Sequence, residues 1–132
     1  MRFMLIMIPK GYESAKPGTV PDAKHVEAMA KYNASMQKAG VLLALDGLHP
    51  LSMGARVSFA SGKPVVAEGP FPEVTEVVGG YWMIDVPSRA QAIEWARRCP
   101  ALANEVIEVR QVQELADFPE DVRRAAGPSG LG

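Results

Sequence analysis

Apolar residues recur with two different periods along the chain, and the changes between these periods predict its secondary structure. Residues 3–8 are apolar at every position, which is typical of a strand covered on both faces. Between Asp22, which suits a helix N-cap, and Ala39, apolar residues recur at helical spacing and charged residues occupy the opposite side. The pattern predicts a first helix there, which Gly40 ends.

The rest of the chain predicts five more strands and a second helix. In order, these are a buried strand at residues 41–45, a half-buried strand at 55–59 joined by a turn at 61–63 to a strand at 64–67, a strand at 81–86, a helix at 89–98 with a capping box of Ser88 and Gln91, and a last strand at 105–112. With the inserted β-hairpin at 55–67 set aside, this order is the split βαβ pattern of the ferredoxin-like α+β fold.

The sheet of such a fold has two faces, and two helices can cover only one of them. Residues 3–8 are apolar on both faces, and the successive residues Tyr81 and Trp82 point to opposite sides of their strand. In so short a chain, a second subunit is the simplest cover for the open face. The sequence therefore predicts a homodimer in which two sheets pack face to face.

Length and composition limit the remaining possibilities. The 132 residues are sized for one domain, placed at 1–113, with a tail at 114–132 that is partly helical or loose. The net charge of −1 and the scattered basic residues argue against nucleic acid and membrane surfaces as partners. Cys99 is the single cysteine, so no intramolecular disulfide can form and a cytoplasmic location is expected.

The stiffest segment is Glu68-Gly69-Pro70-Phe71-Pro72. Its two prolines fix their own φ angles and push the residues before them toward extended geometry. One interpretation is that this corner anchors Phe71 in the core or the dimer interface. The other is that it holds the Glu68 carboxylate at the mouth of a pocket, with Phe71 as a substrate contact.

Two further residues are candidates for acid/base chemistry. Asp46 directly follows an apolar run, where a buried carboxylate is costly unless it is paired or binds a ligand, although it can also cap a turn. His49 is either a proton donor and acceptor near neutral pH or a simple loop residue.

Two residues are candidates for substrate binding. Arg56 can neutralise one of the acids or bind an anionic group, or it is an ordinary surface arginine. Tyr32 is either a core tyrosine or a substrate contact. The sequence contains no metal-ligand spacing, phosphate loop or dinucleotide fingerprint, so neither a metal nor a cofactor is expected.

Six segments then occur together in a distinctive order: KYN at 31–33, KAGVLL at 38–43, GLHP at 47–50, EGPF at 68–71, GGYWMIDV at 79–86 and AIEWARRCP at 92–100. Together they resemble the YCII-related family, and in particular its branch named for a DGPF motif. The resemblance runs from the first strand to Val112 and implies a dimeric α+β barrel of the ferredoxin-like type. Many members of the family have no assigned activity, and some are fused to or encoded beside sigma factors.

The chain departs from this family at two places. The naming motif usually begins with Asp, whereas this chain has Glu68. The family is often proposed to use a His on the first helix paired with an Asp. Counted back from Gly40, the matching position is about Met29, and His25 lies one turn earlier. The resemblance therefore does not transfer that role to His25.

Two functions follow as hypotheses. In the first, a dimeric enzyme uses Asp46, His49 and Glu68 for acid/base, lyase-like chemistry on a small organic molecule, with Arg56, Tyr32 and Phe71 contacting the substrate. In the second, the protein is a non-catalytic small-molecule-binding or regulatory module, linked to a sigma factor. The sequence leaves open whether the protein is an enzyme.

Overall fold

The computed structural model, which describes residues 1–127, has the predicted α+β architecture. Its strands and helices follow in the predicted order: β1 (Arg2–Pro9), α1 (Ala23–Lys38), β2 (Leu42–Gly47), β3 (Ala55–Ser58), β4 (Val65–Glu68), β5 (Gly80–Asp85), α2 (Arg89–Arg97), β6 (Glu105–Gln111) and α3 (Glu120–Ala126). Short 3-10 turns occupy Tyr12–Ser14, Leu51–Met53 and Leu115–Asp117.

The main sheet has the strand order β2-β5-β1-β6, and each neighbouring pair is antiparallel. Each of α1 and α2 follows one strand and leads to another that lies two positions away in this order. The predicted hairpin forms a separate two-stranded sheet of β3 and β4, in which Val57 pairs with Val66. The crossovers bring α1 and the start of β6 near each other.

The core lies between the sheet and the two helices. Alternate residues of β1 and β5 point toward the helices, and they pack against the buried faces of α1 and α2. The members of this core are Phe3, Leu5, Met7, Tyr32, Met36, Trp82, Ile84, Val86 and Ala92. Tyr32 also donates a hydrogen bond from its hydroxyl to the Trp95 carbonyl at 2.7 Å, which joins the two helices.

Neither α1 nor α2 packs on the opposite face of the sheet, the helix-free face. Met4, Ile6, Tyr81 and Met83 lie on it and are only half-buried. The strand β2, predicted to be buried, is mostly exposed. The prediction was wrong because β2 is an edge strand with a partner on one side only. The predicted half-buried strand β3 is likewise fully exposed, because its hairpin extends away from the main sheet as a separate sheet.

The corner that follows β4 is held by close backbone packing. The Gly69 N–H donates to the Gly54 carbonyl at 2.9 Å. A Cβ atom at Gly69 would lie 1.8 Å from the Leu51 carbonyl oxygen, so no other residue fits there without a backbone shift. Phe71 is 6% exposed, and the Arg56 guanidinium lies 4.9 Å above the centre of its ring. The corner therefore buries Phe71, as the first interpretation of this segment requires.

The ends of the elements are fixed by polar contacts. The Ser88 side chain accepts a hydrogen bond from the Gln91 N–H at the start of α2, whereas Asp22 occupies the N-cap position of α1 without a side-chain capping bond. Beyond β6, Glu114 accepts two hydrogen bonds from the Arg2 guanidinium, at 2.6 Å and 2.9 Å. The tail from 114 to 127 contains the helix α3, and the part of the predicted loose end from 128 onward lies outside the described residues.

Candidate functional site

A cavity of about 800 Å³ lies between the N-terminal half of α1 and one end of the main sheet. At this end, Gly80 of β5 pairs with Met7 of β1 and with Gly47 of β2. Both glycines border the cavity, as do Leu45 and Trp82, which lie two residues away along the same strands. A Cβ atom at Gly80 would lie 2.8 Å from the Asp46 carbonyl oxygen, so the close pairing of β5 with β2 requires glycine there.

The helix α1 supplies the roof of the cavity. His25, Met29 and Asn33 are spaced four residues apart, so they lie on one side of α1 above the sheet, and all three border the cavity. The Asn33 Oδ1 accepts a hydrogen bond from the Trp82 indole N–H at 2.7 Å. This bond fixes the helix relative to the floor of the cavity.

A carboxylate faces His25 from the start of β6. The His25 Nε2 lies 3.6 Å from the Glu105 Oε1, slightly beyond hydrogen-bond distance. The side chains are 16% and 10% exposed, respectively. The Glu105 Oε1 also accepts the Leu102 backbone N–H at 2.7 Å, which holds the carboxylate in place. The pair therefore places an imidazole next to a carboxylate that is fixed by a backbone N–H, and acid/base sites use such neighbours.

Two tyrosines lie near this end of the sheet, but only the Tyr12 side chain lines the cavity, because Tyr81 and its strand partner Asp46 point to the opposite face of the sheet. The Tyr81 hydroxyl donates to the Asp46 Oδ2 at 2.7 Å, and the Tyr12 hydroxyl donates to the Leu48 carbonyl at 2.6 Å. The hydrogen bond to Asp46, aided by partial burial and the charge of the carboxylate, raises the pKa of Tyr81 above its ordinary value. Burial raises the pKa of Tyr12. Both phenols are therefore kept protonated, as fixed hydrogen-bond donors.

Of the six residues proposed from the sequence, only Asp46 borders the cavity. Asp46 is exposed, because the strand that carries it lies at the sheet edge. His49 and Glu68 are also exposed and do not border the cavity, so their catalytic role stays a prediction.

The other three proposed residues lie elsewhere. Arg56 and Phe71 contact each other at the corner after β4, and Tyr32 is part of the core. Burial among the helices and sheet strongly raises the pKa of Tyr32, which keeps its hydroxyl protonated.

The sequence patterns missed His25, Glu105 and the hydrogen bond between Asn33 and Trp82. The sequence did contain a signal for the two residues on α1, because His25 and Asn33 lie at four-residue spacing from Met29 and so share its inward side of the helix. No local signal marked Glu105, since only the crossover after α2 brings the start of β6 beside α1.

Neither metal binding nor thiol chemistry is visible at this site. Within residues 1–127, no group of three His, Cys, Asp or Glu side chains is placed to hold a metal ion. Burial, with a smaller effect from the charge of Glu105, raises the pKa of the Cys99 thiol to about 12.

Within the described residues 1–127, the helices are all too short or too polar to cross a membrane.

Comparisons with known proteins identify the family. An uncharacterised protein of Rhizobium meliloti (strain 1021) is 33% identical to this chain over 60 residues. The match covers 46% of this chain and 48% of the relative, so the chain spans about half the length of that curated relative. The family model described as the YCII-related domain matches residues 1–116. The chain therefore belongs to the YCII-related domain family.

Proposed function

We propose that the cavity beneath α1 binds a small organic molecule and that His25, with the Glu105 carboxylate beside it, accepts a proton from that molecule. The observation that carries the proposal is the position of His25: its imidazole borders a cavity of about 800 Å³ and faces a carboxylate fixed by a backbone N–H. A cavity of this size suits a small-molecule ligand. An imidazole can both accept and donate a proton near neutral pH.

A lyase-like reaction fits these groups without a cofactor. The His25 Nδ1, the ring nitrogen that does not face Glu105, accepts a proton from a substrate carbon, the electron pair of the broken C–H bond forms a new double bond, and the leaving group departs with its bonding electrons. The resulting imidazolium is stabilised by the Glu105 carboxylate, whose Oε1 lies 3.6 Å from the Nε2.

Hydrogen–deuterium exchange into candidate ligands tests this proposal. A panel of small organic acids, amines and carbonyl compounds is incubated with the protein in D₂O, and deuterium at carbon is measured by mass spectrometry. We expect exchange with the native protein and a loss of about 100-fold or more in His25→Gln, in the range typical of general-base removal. The matched variant His49→Gln changes the other histidine, which is exposed and outside the cavity.

Three outcomes separate the alternatives. Loss of exchange in His25→Gln alone supports the proposal. Loss of exchange in His49→Gln alone would contradict the role of His25 and support His49, the histidine proposed from the sequence, as the catalytic residue. A compound that binds in the cavity without exchange contradicts catalysis and favours the alternative function, a small-molecule-binding or regulatory module.

The proposal includes a homodimer of the ferredoxin-like, dimeric α+β barrel type. The strand order β2-β5-β1-β6 with two crossover helices supports the split βαβ assignment. The helix-free face carries Met4, Ile6 and Met83, and the hairpin residues Val57, Phe59, Val65 and Val66 are 50–67% exposed. Such apolar area in one small domain supports an interface with a second copy.

The proposed setting is the cytoplasm. Cys99 is the single cysteine and carries a free thiol, half-buried with its Sγ 3.8 Å from the Met29 sulfur. A chain stabilised without disulfides suits a reducing compartment. The net charge of −1 supports a partner other than nucleic acid.

A further inference from the structure

The walls of the cavity beneath α1 carry negative charge without a matching fixed positive charge. Asp22 and Glu105 border it, together with the single titratable base His25, whereas the Asp46 side chain points with Tyr81 to the opposite face of the sheet. Among the residues that the structure describes, no lysine or arginine borders it. A ligand carboxylate or phosphate entering this space would lose its water and meet two carboxylates, and proteins normally bind such groups with Arg or Lys. The electrostatics therefore disfavour an anionic ligand.

The hydrogen-bonding groups on the cavity wall also favour a ligand that donates hydrogen bonds. Four side-chain donors that border the cavity already donate to acceptors of the protein itself. They are the Tyr12 hydroxyl to Leu48 O (2.6 Å), the Trp82 indole to Asn33 Oδ1 (2.7 Å), the Thr19 hydroxyl to Lys16 O (2.6 Å) and the Asn104 amide to Lys10 O (3.0 Å). The Asp22 and Glu105 carboxylates keep acceptor capacity for a ligand, which a ligand with several N–H donors satisfies.

Among these acidic residues, Glu105 has the least exposed side chain. Its side chain is 10% exposed, and a carboxylate this buried is stable only with charge or hydrogen bonds to compensate. The Leu102 N–H supplies one bond, and His25 is the nearby group that can become a cation. A ligand ammonium beside Glu105 would supply the positive charge while His25 stays neutral, the form in which it can accept a proton.

The rest of the lining is apolar and aromatic. Met7, Met29 and Trp82 are buried or half-buried at the inner wall, and Tyr12 also borders the cavity. Aromatic faces attract cations, and the thioethers and rings suit a hydrocarbon body. On these grounds we infer that the ligand of this cavity is a small protonated amine with an apolar or aromatic body. The inference rests on the proposed function, namely that the cavity binds a small organic molecule.

A matched set of probes tests the inference. The ¹H–¹⁵N NMR spectrum of the native protein is titrated with 2-phenylethylamine, 2-phenylethanol and phenylacetate, which share a ring but carry an ammonium, a hydroxyl and a carboxylate. We expect the amine to shift the amide signals of cavity residues, such as Gly80 and Asn33, at lower concentration than the alcohol, and phenylacetate to leave them unchanged.

Two variants test which carboxylate of the cavity recognises the positive charge of the amine. Glu105→Gln should weaken amine binding about 10-fold or more, because a hydrogen bond to an ionised group is lost. Asp22→Asn removes the second carboxylate that borders the cavity; Asp22 is exposed and makes no side-chain capping bond, so this variant guards against misfolding of the first. The control Glu73→Gln removes an exposed carboxylate that does not border the cavity, and it should leave the affinity unchanged.

The outcomes distinguish the two proposals. Cavity shifts produced by the amine alone, and weakened by the Glu105 or Asp22 variant, support the amine ligand. Equal binding of the alcohol, or preferred binding of phenylacetate, overturns the amine inference but leaves the cavity a small-molecule site. If none of the three probes shifts the cavity amides, both the amine inference and the proposed binding function are contradicted.

Discussion

The indole N–H of Trp82 donates a 2.7 Å hydrogen bond to Oδ1 of Asn33, and this bond joins the centre of the sheet to α1 at the wall of the cavity. Trp82 is 7% exposed, and its ring meets Tyr32 edge-on with the ring centres 5.6 Å apart. Trp82 thus packs in the core with its one polar atom satisfied. Its hydrogen bond to Asn33 also holds α1 at a fixed distance from the sheet.

Asn33→Ala should destabilise the protein through this bond. The substitution leaves the buried indole N–H without its acceptor, and we expect a loss of about 1–3 kcal/mol in the free energy of unfolding, measured with urea. In a Trp82→Phe background the same substitution should have little effect, because no indole N–H remains. An equal loss in both backgrounds would show that Asn33 acts through other contacts.

Gly69→Ala should be strongly destabilising. The new methyl group would lie 1.8 Å from the Leu51 carbonyl oxygen, so the corner must shift, at about 3 kcal/mol of unfolding free energy. Gly54→Ala is the matched control in the same corner, since its Cβ would meet ordinary contacts of 3.6 Å or more. Thermal unfolding of the two variants measures the difference. A similar melting temperature for both would refute the steric requirement at Gly69.

The ion pair between Arg2 and Glu114 should make stability depend on pH. The hydrogen bonds from Arg2 hold the pKa of Glu114 below its ordinary value of 4.5. A lowered pKa in the folded state means that the pair stabilises the protein above about pH 4.5 and that this contribution is lost as the pH falls through the folded-state pKa.

Unfolding free energies of native protein and Glu114→Gln, measured from neutral to acidic pH, test the ion pair. The variant should be less stable near neutral pH, and the gap should close as the solution becomes acidic. The Glu73→Gln control removes an exposed carboxylate away from Arg2 and should show no such convergence. A gap that is constant with pH would mean that the charge of Glu114 is not what stabilises the fold.

The proposed homodimer predicts that charge on the helix-free face separates the subunits. Met83→Glu places a carboxylate at the centre of that face, on a strand flanked by two others, and should yield monomers by light scattering. Val122→Glu adds the same charge on α3 and should leave the mass unchanged. Leu5 and Trp82 are unsuitable positions for this test, because both face the helices and their substitution would disrupt the core. A dimer that persists in Met83→Glu would contradict packing through this face.

The family and the order of the elements were predictable from the sequence because both depend on local patterns. Apolar residues at helical spacing predicted α1, the turn residues around Gly62 predicted the hairpin of β3 and β4, and Ser88 predicted the start of α2. The requirement for Gly69 in the EGPF corner was present in the motif, but its cause, the Leu51 carbonyl oxygen, was visible only in the structure.

The sequence by itself determined the strands, the helices, their order and the membership of a family, since hydrophobic periodicity and turn chemistry act between near neighbours in the chain. The tertiary structure decided which strand lies at the edge, and therefore that Asp46 is exposed and paired with Tyr81. It also decided that His25 faces Glu105, because the crossover connections join α1 to the start of β6 across the sheet. Contacts between residues so distant in sequence depend on the packing of the whole sheet, which no local pattern encodes.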